Sequence, residues 1–196
     1  MTTIRSLRAN LTREDVIAEF SPRGPMRVLR RMALGPLRSI ADFYIPFRLF
    51  TVQACHSGKR EAAILGLEAV TGTLDLYQFD SIPPHSQLVS LETRNCPDQR
   101  LTGERQKELV IDKFRQMVFR RGFFRLSNLT IVAEPLPNEL HMPYWIGIFG
   151  AGNHARLLVL DAVRCRLEGA KVRNLLHTWL AQESQPIALC PDARYQ

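Results

Sequence analysis

Leu65-Gly66-Leu67-Glu68-Ala69-Val70 and Leu158-Val159-Leu160-Asp161-Ala162-Val163 are two versions of one pattern, an apolar run closed by an acid and then by Ala-Val. The likeness extends both ways. Upstream, Ile45-Pro46-Phe47-Arg48-Leu49 is echoed by Met142-Pro143-Tyr144-Trp145-Ile146, and downstream Leu74-Asp75 is matched by Leu167-Glu168. Pro46 lies 23 positions before Ala69 and Pro143 lies 19 before Ala162, so the difference falls in the connecting loops, around Cys55–Arg60 and Gly150–His154. Surface loops tolerate such insertions. The pattern predicts an α+β protein made of two similar helix-plus-antiparallel-sheet units packed together, with a C-terminal amphipathic helix.

Each copy reads as a β-hairpin. Leu49–Val52 and Ala63–Leu67 are apolar or β-prone runs separated by a polar, Gly-containing stretch, and Leu74–Phe79 then alternates with period two. In the second copy Trp145–Phe149 and Arg156–Val163 form the hairpin, and Leu126–Val132 supplies a preceding strand. After Leu167 the spacing of Val172, Leu175, Leu176, Trp179 and Leu180 is helical. Helices are also expected before each hairpin. Thr102 is placed to cap one over about 103–121 that buries Val110, Phe114, Met117 and Val118 and stops at Gly122. Near the start, Thr12 and Asp15 suit a capping box with Leu11 and Val16 as a staple. Pro22, Pro25 and Pro36 divide the next segment into two or three short helices, the amphipathic stretch running on through Leu37 and Ile40. The organisation expected is a basic helical region plus first meander over 1–80, a linker over 81–102 with an extra strand at Leu88–Leu91, a second unit over 103–182 and a tail over 183–196.

The chain has 196 residues, 45% of them hydrophobic, and 26 Lys+Arg against 19 Asp+Glu. This composition belongs to a globular domain and excludes a disordered chain, a collagen and a disulfide-stapled miniprotein. No run approaches the roughly 18 apolar residues of a bilayer span, and no signal-peptide pattern opens the chain, so a cytoplasmic location is expected. Cys55, Cys96, Cys165 and Cys190 form no zinc-type pair and are expected as free, buried thiols; Cys165 stands out because Arg164 and Arg166 flank it. His56, His85, His141, His154 and His177 share no helical face, and neither metal nor cofactor is expected. Nucleotide-binding, serine-hydrolase and zinc-protease motifs are absent. Gly147-Ile148-Phe149-Gly150-Ala151-Gly152 reads as part of a hairpin, since no lysine comes after it to complete a phosphate loop.

Leu67-Glu68-Ala69-Val70-Thr71-Gly72-Thr73-Leu74 resembles the strand-turn-strand signature of PepSY-like domains: hydrophobic, Asp, Ala, any residue, Thr-Gly, any residue, hydrophobic. The second copy departs from it, with Arg164-Cys165 where Thr71-Gly72 would fall. The resemblance implies a cystatin-like helix and meander, and a regulatory or inhibitory binding module without catalytic residues. Glu68 and Asp161 at matched positions suit two readings, a carboxylate pair for acid–base work or two acids that accept the N–H groups of their own turns.

The positive charge is concentrated at one end, where residues 1–48 hold nine Arg against four acids. Arg23, Arg27, Arg30, Arg31 and Arg38 are interleaved with Met26, Leu29, Met32, Ala33 and Leu34. This set is the candidate anion or partner site, and its bland alternative is a solvated arginine face whose apolar side covers the sheet. The groove between the two copies, marked by Tyr144, Trp145, Glu68 and Asp161, is the second candidate. Phe119, Phe123, Phe124, Tyr144, Trp145, Phe149 and Trp179 would serve a nucleic-acid stacking platform beside Arg120, Arg121 and Arg125, or simply the core. The leading expectation is a non-enzymatic module that binds a protein or peptide partner. Binding of nucleic acid or an anionic membrane surface through the Arg-rich end is the alternative, and an enzyme would need a polar pocket near Glu68, Asp161 or His141. Oligomeric state is not legible in the sequence.

Overall fold

The computed structural model describes residues 1–56, 59–120, 129–150 and 155–182. Gly122, Phe123, Phe124, Arg121, Arg125, Leu126–Asn128, Ser57-Gly58, Ala151–His154, Cys190 and the tail over 183–196 lie outside the described residues. In chain order the elements are β1 (Thr2–Leu7), α1 (Arg13–Phe20), α2 (Pro25–Leu34), β2 (Leu37–His56), β3 (Lys59–Glu68), β4 (Tyr77–Phe79), a 3-10 turn (His85–Gln87), β5 (Leu88–Thr93), α3 (Gly103–Arg120), β6 (Thr130–Phe149), β7 (Arg156–Asp161), β8 (Arg166–Leu167) and α4 (Ala170–Gln182). The class is α+β.

The spine is β2 paired antiparallel with β6 along their full lengths, from Leu37 opposite Phe149 to Cys55 opposite Thr130. β3 and β4 extend the sheet beyond β2, β7 and β8 extend it beyond β6, and β1 with β5 joins β6 at the parallel bridge Ser6–His141. The two hairpins therefore share one sheet. Two sheets facing each other across a groove, as the sequence suggested, do not form, because β2 and β6 hydrogen-bond directly.

Proline in the middle of a sheet removes a ladder donor, yet both long strands contain one at their turning point. Pro46 accepts from the Ala69 N–H at 2.9 Å and Pro143 from the Ala162 N–H at 3.1 Å. A strand residue points its N and its O to the same side, so each proline nitrogen faces the place where β3 or β7 has just ended. No donor is wasted there. The prolines thus stand where a neighbour ends: β2 leaves β3 at Pro46, and β6 exchanges β7 for β1 near Pro143. The register shift opposite Arg48–Phe50 falls at Pro135 and Pro137 of β6.

Alternation along β2 sorts the core. Phe43, Ile45, Phe47 and Leu49 face α4, packing with Val172, Leu175, Leu176 and Trp179. Residues of the other parity face the remaining helices: Ile40 lies with Val16 and Phe20 of α1, and Phe50 and Val52 lie with Val110, Phe114 and Val118 of α3. α1 has the expected box, with Thr12 Oγ1 accepting from the Asp15 N–H and Asp15 accepting from the Thr12 N–H. Leu11 and Val16 share its core cluster. Gly147 in β6 makes room for α1, since a Cβ there would stand 2.8 Å from the Phe20 ring.

Three expectations need correcting. The chain opens with a strand, β1, rather than a helical region; β1 pairs residue by residue with β5, whose span Leu88–Thr93 contains the extra strand expected at Leu88–Leu91. Leu37–Ile40 begins β2 instead of continuing the helical stretch: Gly35 and Pro36 stop α2, and the segment finds its partners at Gly147–Phe149. Cys55 and Cys165 are exposed, not buried.

Candidate functional site

α2 starts where Gly24 turns the chain into Pro25 at the first helical position, and it stops where the Gly35 N–H donates to the Arg31 carbonyl at 2.8 Å. Its sequence holds two i, i+3, i+4, i+7 stripes on opposite sides, Pro25-Val28-Leu29-Met32 and Arg27-Arg30-Arg31-Leu34. The structure turns the second one inward. Leu34 packs with the α1 cluster, Arg30 donates to the Glu19 carbonyl, and Arg156 Nη1 donates to the Ala33 carbonyl at 2.7 Å. Met26, Val28, Leu29 and Met32 are left in solvent at 55%, 59%, 60% and 81% exposure. The apolar side does not cover the sheet.

Between α1, α2 and the start of β2 this orientation encloses a recess of about 500 Å³. Its apolar lining includes Ile17, Phe20, Leu37 and Phe149, and its polar lining includes Arg23, Arg27, Arg30, Arg31 and Arg38. All five arginines singled out in the sequence meet there, although only Arg27, Arg30 and Arg31 belong to α2, Arg23 preceding it and Arg38 lying in β2. None of the ion pairs among the described residues involves any of the five. Five like charges around one concavity repel one another and create a positive potential that an anion relieves. Guanidinium forks match carboxylate and phosphate oxygens.

The second candidate set does not assemble. A smaller recess of about 180 Å³ lies between the segment after β3 and the β8–α4 region, and of the four marked residues only Tyr144 lines it. Trp145 packs on the other face with the α1 cluster. Glu68 and Asp161 are buried and hold their own turns. Glu68 Oε1 accepts from the Val70 and Thr71 N–H groups, and Oε2 accepts from the Thr73 N–H at 3.1 Å and the Thr71 hydroxyl at 2.9 Å. Asp161 Oδ1 accepts from the Val163 and Arg164 N–H groups, each at 2.8 Å. In this smaller recess the Arg164 guanidinium lies 3.4 Å from the Tyr77 ring centroid, and Lys171 pairs with Asp75. Burial, and after it the Asp161 charge, pushes the Tyr144 hydroxyl well above the usual tyrosine range and Tyr77 upward in the same direction.

His141 Nδ1 lies 3.1 Å from the Arg5 carbonyl, and burial lowers its pKa. Tyr144, Phe149 and Trp179 are core residues. Among the described residues no three His, Cys, Asp or Glu side chains gather to hold a metal, and no helix is long and apolar enough to cross a membrane.

Sequence reading found the arginines but not which stripe of α2 turns inward, because two opposite stripes of equal period carry no sign. The available signal was Leu34, the one apolar residue in the basic stripe, which anchors that side. No family model, curated protein or solved structure matches the chain.

Proposed function

We propose that the protein is a non-enzymatic binding module whose α1–α2 recess receives an anionic group, carboxylate or phosphate, presented by a partner. One observation carries this reading: five arginines without carboxylate partners among the described residues line a single concavity. The use of Glu68 and Asp161 on turn N–H groups supports it, since both acids are committed to structure. A cytoplasmic setting belongs to the same proposal. It would keep the exposed thiols Cys55 and Cys165 reduced.

Calorimetric titration with two soluble probes, inorganic pyrophosphate and a hexaglutamate peptide, tests the proposal and separates phosphate from carboxylate recognition. Saturable binding to at least one probe is expected, weakening as salt rises and lost when Arg27, Arg30 and Arg31 are all changed to Ala. Absence of binding to both probes at low salt, or unchanged binding by the triple variant, overturns it.

A further inference from the structure

Anion binding in the recess leaves the outward stripe of α2 unused. Met26, Val28, Leu29 and Met32 form one contiguous side of a helix that buries none of its residues. Holding such a stripe in water is unfavourable, and rolling the helix would bury it. Three anchors oppose rolling: Leu34 in the α1 cluster, Arg30 on the Glu19 carbonyl, and Arg156 on the Ala33 carbonyl.

We propose that α2 is a membrane-surface docking helix. Its apolar stripe enters the boundary between headgroups and acyl chains of an anionic bilayer, and the arginines behind and beside it take lipid phosphates. This rests on the anion-binding reading of the recess and names the source of the anion.

Charge selects the bilayer over a second copy of the chain. From Phe20 to Ala41 there are five arginines and no acid, so two copies joined through the apolar stripe would set two basic segments side by side with no acid between them to offset the repulsion. An anionic lipid surface offers apolar depth and negative charge at once. Geometry selects it over a protein groove. A groove grips a helix from several sides, whereas α2 has one side free and the other held against the body, which suits a flat slab. The helix is about 15 Å long, so its insertion is shallow and reversible and depends on the arginines for strength.

Co-sedimentation with vesicles tests this. Binding is expected to phosphatidylcholine vesicles carrying roughly one phosphatidylserine in three, and not to phosphatidylcholine alone. Changing Arg27, Arg30 and Arg31 to Ala should weaken it about a hundredfold, near fivefold for each arginine. Changing Met26, Leu29 and Met32 to Ser should weaken it at least about tenfold while leaving the melting curve and pyrophosphate binding intact, because these side chains support neither the core nor the recess. Pyrophosphate binding without vesicle binding overturns the membrane inference and leaves the anion site standing. So does vesicle binding indifferent to the serine substitutions, or a dimer that those substitutions dissolve. Failure with vesicles and with both soluble probes removes both proposals together.

Discussion

The turn after β3 and the turn after β7 perform the same backbone task with different side chains. In the first, both carboxylate oxygens of Glu68 are satisfied, with Thr71 and Thr73 contributing alongside the backbone. In the second, Arg164 and Arg166 stand where those threonines would be, and Asp161 Oδ2 is buried without a hydrogen-bond partner among the described residues. The left-handed position is Gly72 at φ +69° in one turn and Cys165 at φ +55° in the other. The chain therefore reaches the same turn with or without glycine. The acid that gathers two successive N–H groups sets the conformation, and the glycine reduces its cost.

If the acid is the organiser, removing it should have the largest effect, and the two turns should differ. Glu68→Ala leaves the Val70 and Thr71 N–H groups without an acceptor and the Thr73 N–H with only the Thr71 hydroxyl at 3.3 Å, for a loss of about 3 kcal/mol in urea denaturation. Asp161→Ala abandons two donors but also discards a carboxylate oxygen buried without a partner, so it should cost only about 1 to 2 kcal/mol. Equal losses would show that the unpartnered oxygen carries no penalty, and the contrast between the turns would fail.

Next in size is the glycine. Gly72→Ala puts a Cβ 2.6 Å from Leu109 Cδ1 and 3.1 Å from Leu101 Cδ1 while forcing alanine into left-handed backbone. The two effects together should cost about 2 kcal/mol. A loss as small as that of an ordinary surface change would mean that α3 yields to the methyl group.

The hairpins also differ where each acid meets the facing strand. Glu68 is opposite Phe47, whereas Asp161 is opposite Tyr144. Burial and the Asp161 charge hold the Tyr144 proton to a higher pH than in the unfolded chain, where tyrosine ionises near 10. Above that pH the folded state binds more protons than the unfolded one, so stability falls as pH rises, by about 1.4 kcal/mol per pH unit for one such group. Tyr144→Phe, which copies the first hairpin, should flatten that alkaline decline by about one proton. An unchanged slope would assign the decline to Tyr77, whose pKa is displaced in the same direction.

The parts of the fold that could be read in advance were those fixed by local spacing. The capping box at Thr12, the inner face of α3 and the stripe of α4 all come from residues three or four apart, and each is where periodicity puts it. β1 was missed because six residues that bury only Ile4, Ser6 and Leu7 form a strand only by pairing with β5, more than eighty positions away. The length of β2 and β6 was missed for a related reason. A proline inside an apolar run argues against a central strand, and Pro46 and Pro143 are harmless only because each stands where β3 or β7 ends. At the recess, residue type and clustering were legible and orientation was not. Tyr144 and Trp145 do not line one groove, because adjacent strand residues point to opposite faces and the two fall in different core clusters.

Cys165 provides the finest test of the comparison. Its φ of +55° costs an L-residue roughly 1 to 2 kcal/mol, which glycine avoids, while glycine gives back part of the gain by enlarging the freedom of the unfolded chain. The Cys165 sulfur lies 3.8 Å from the Val163 carbonyl and is exposed, so little packing is lost with it. Cys165→Gly should therefore stabilise the protein by about 0.5 kcal/mol, measured as a rise in the denaturation midpoint at unchanged slope. Cys165→Val, β-branched and poorly suited to positive φ, should shift the midpoint the other way. If both substitutions are neutral, the second turn relaxes out of the left-handed region without cost, and the acid alone, with no help from the residue at this position, determines its path.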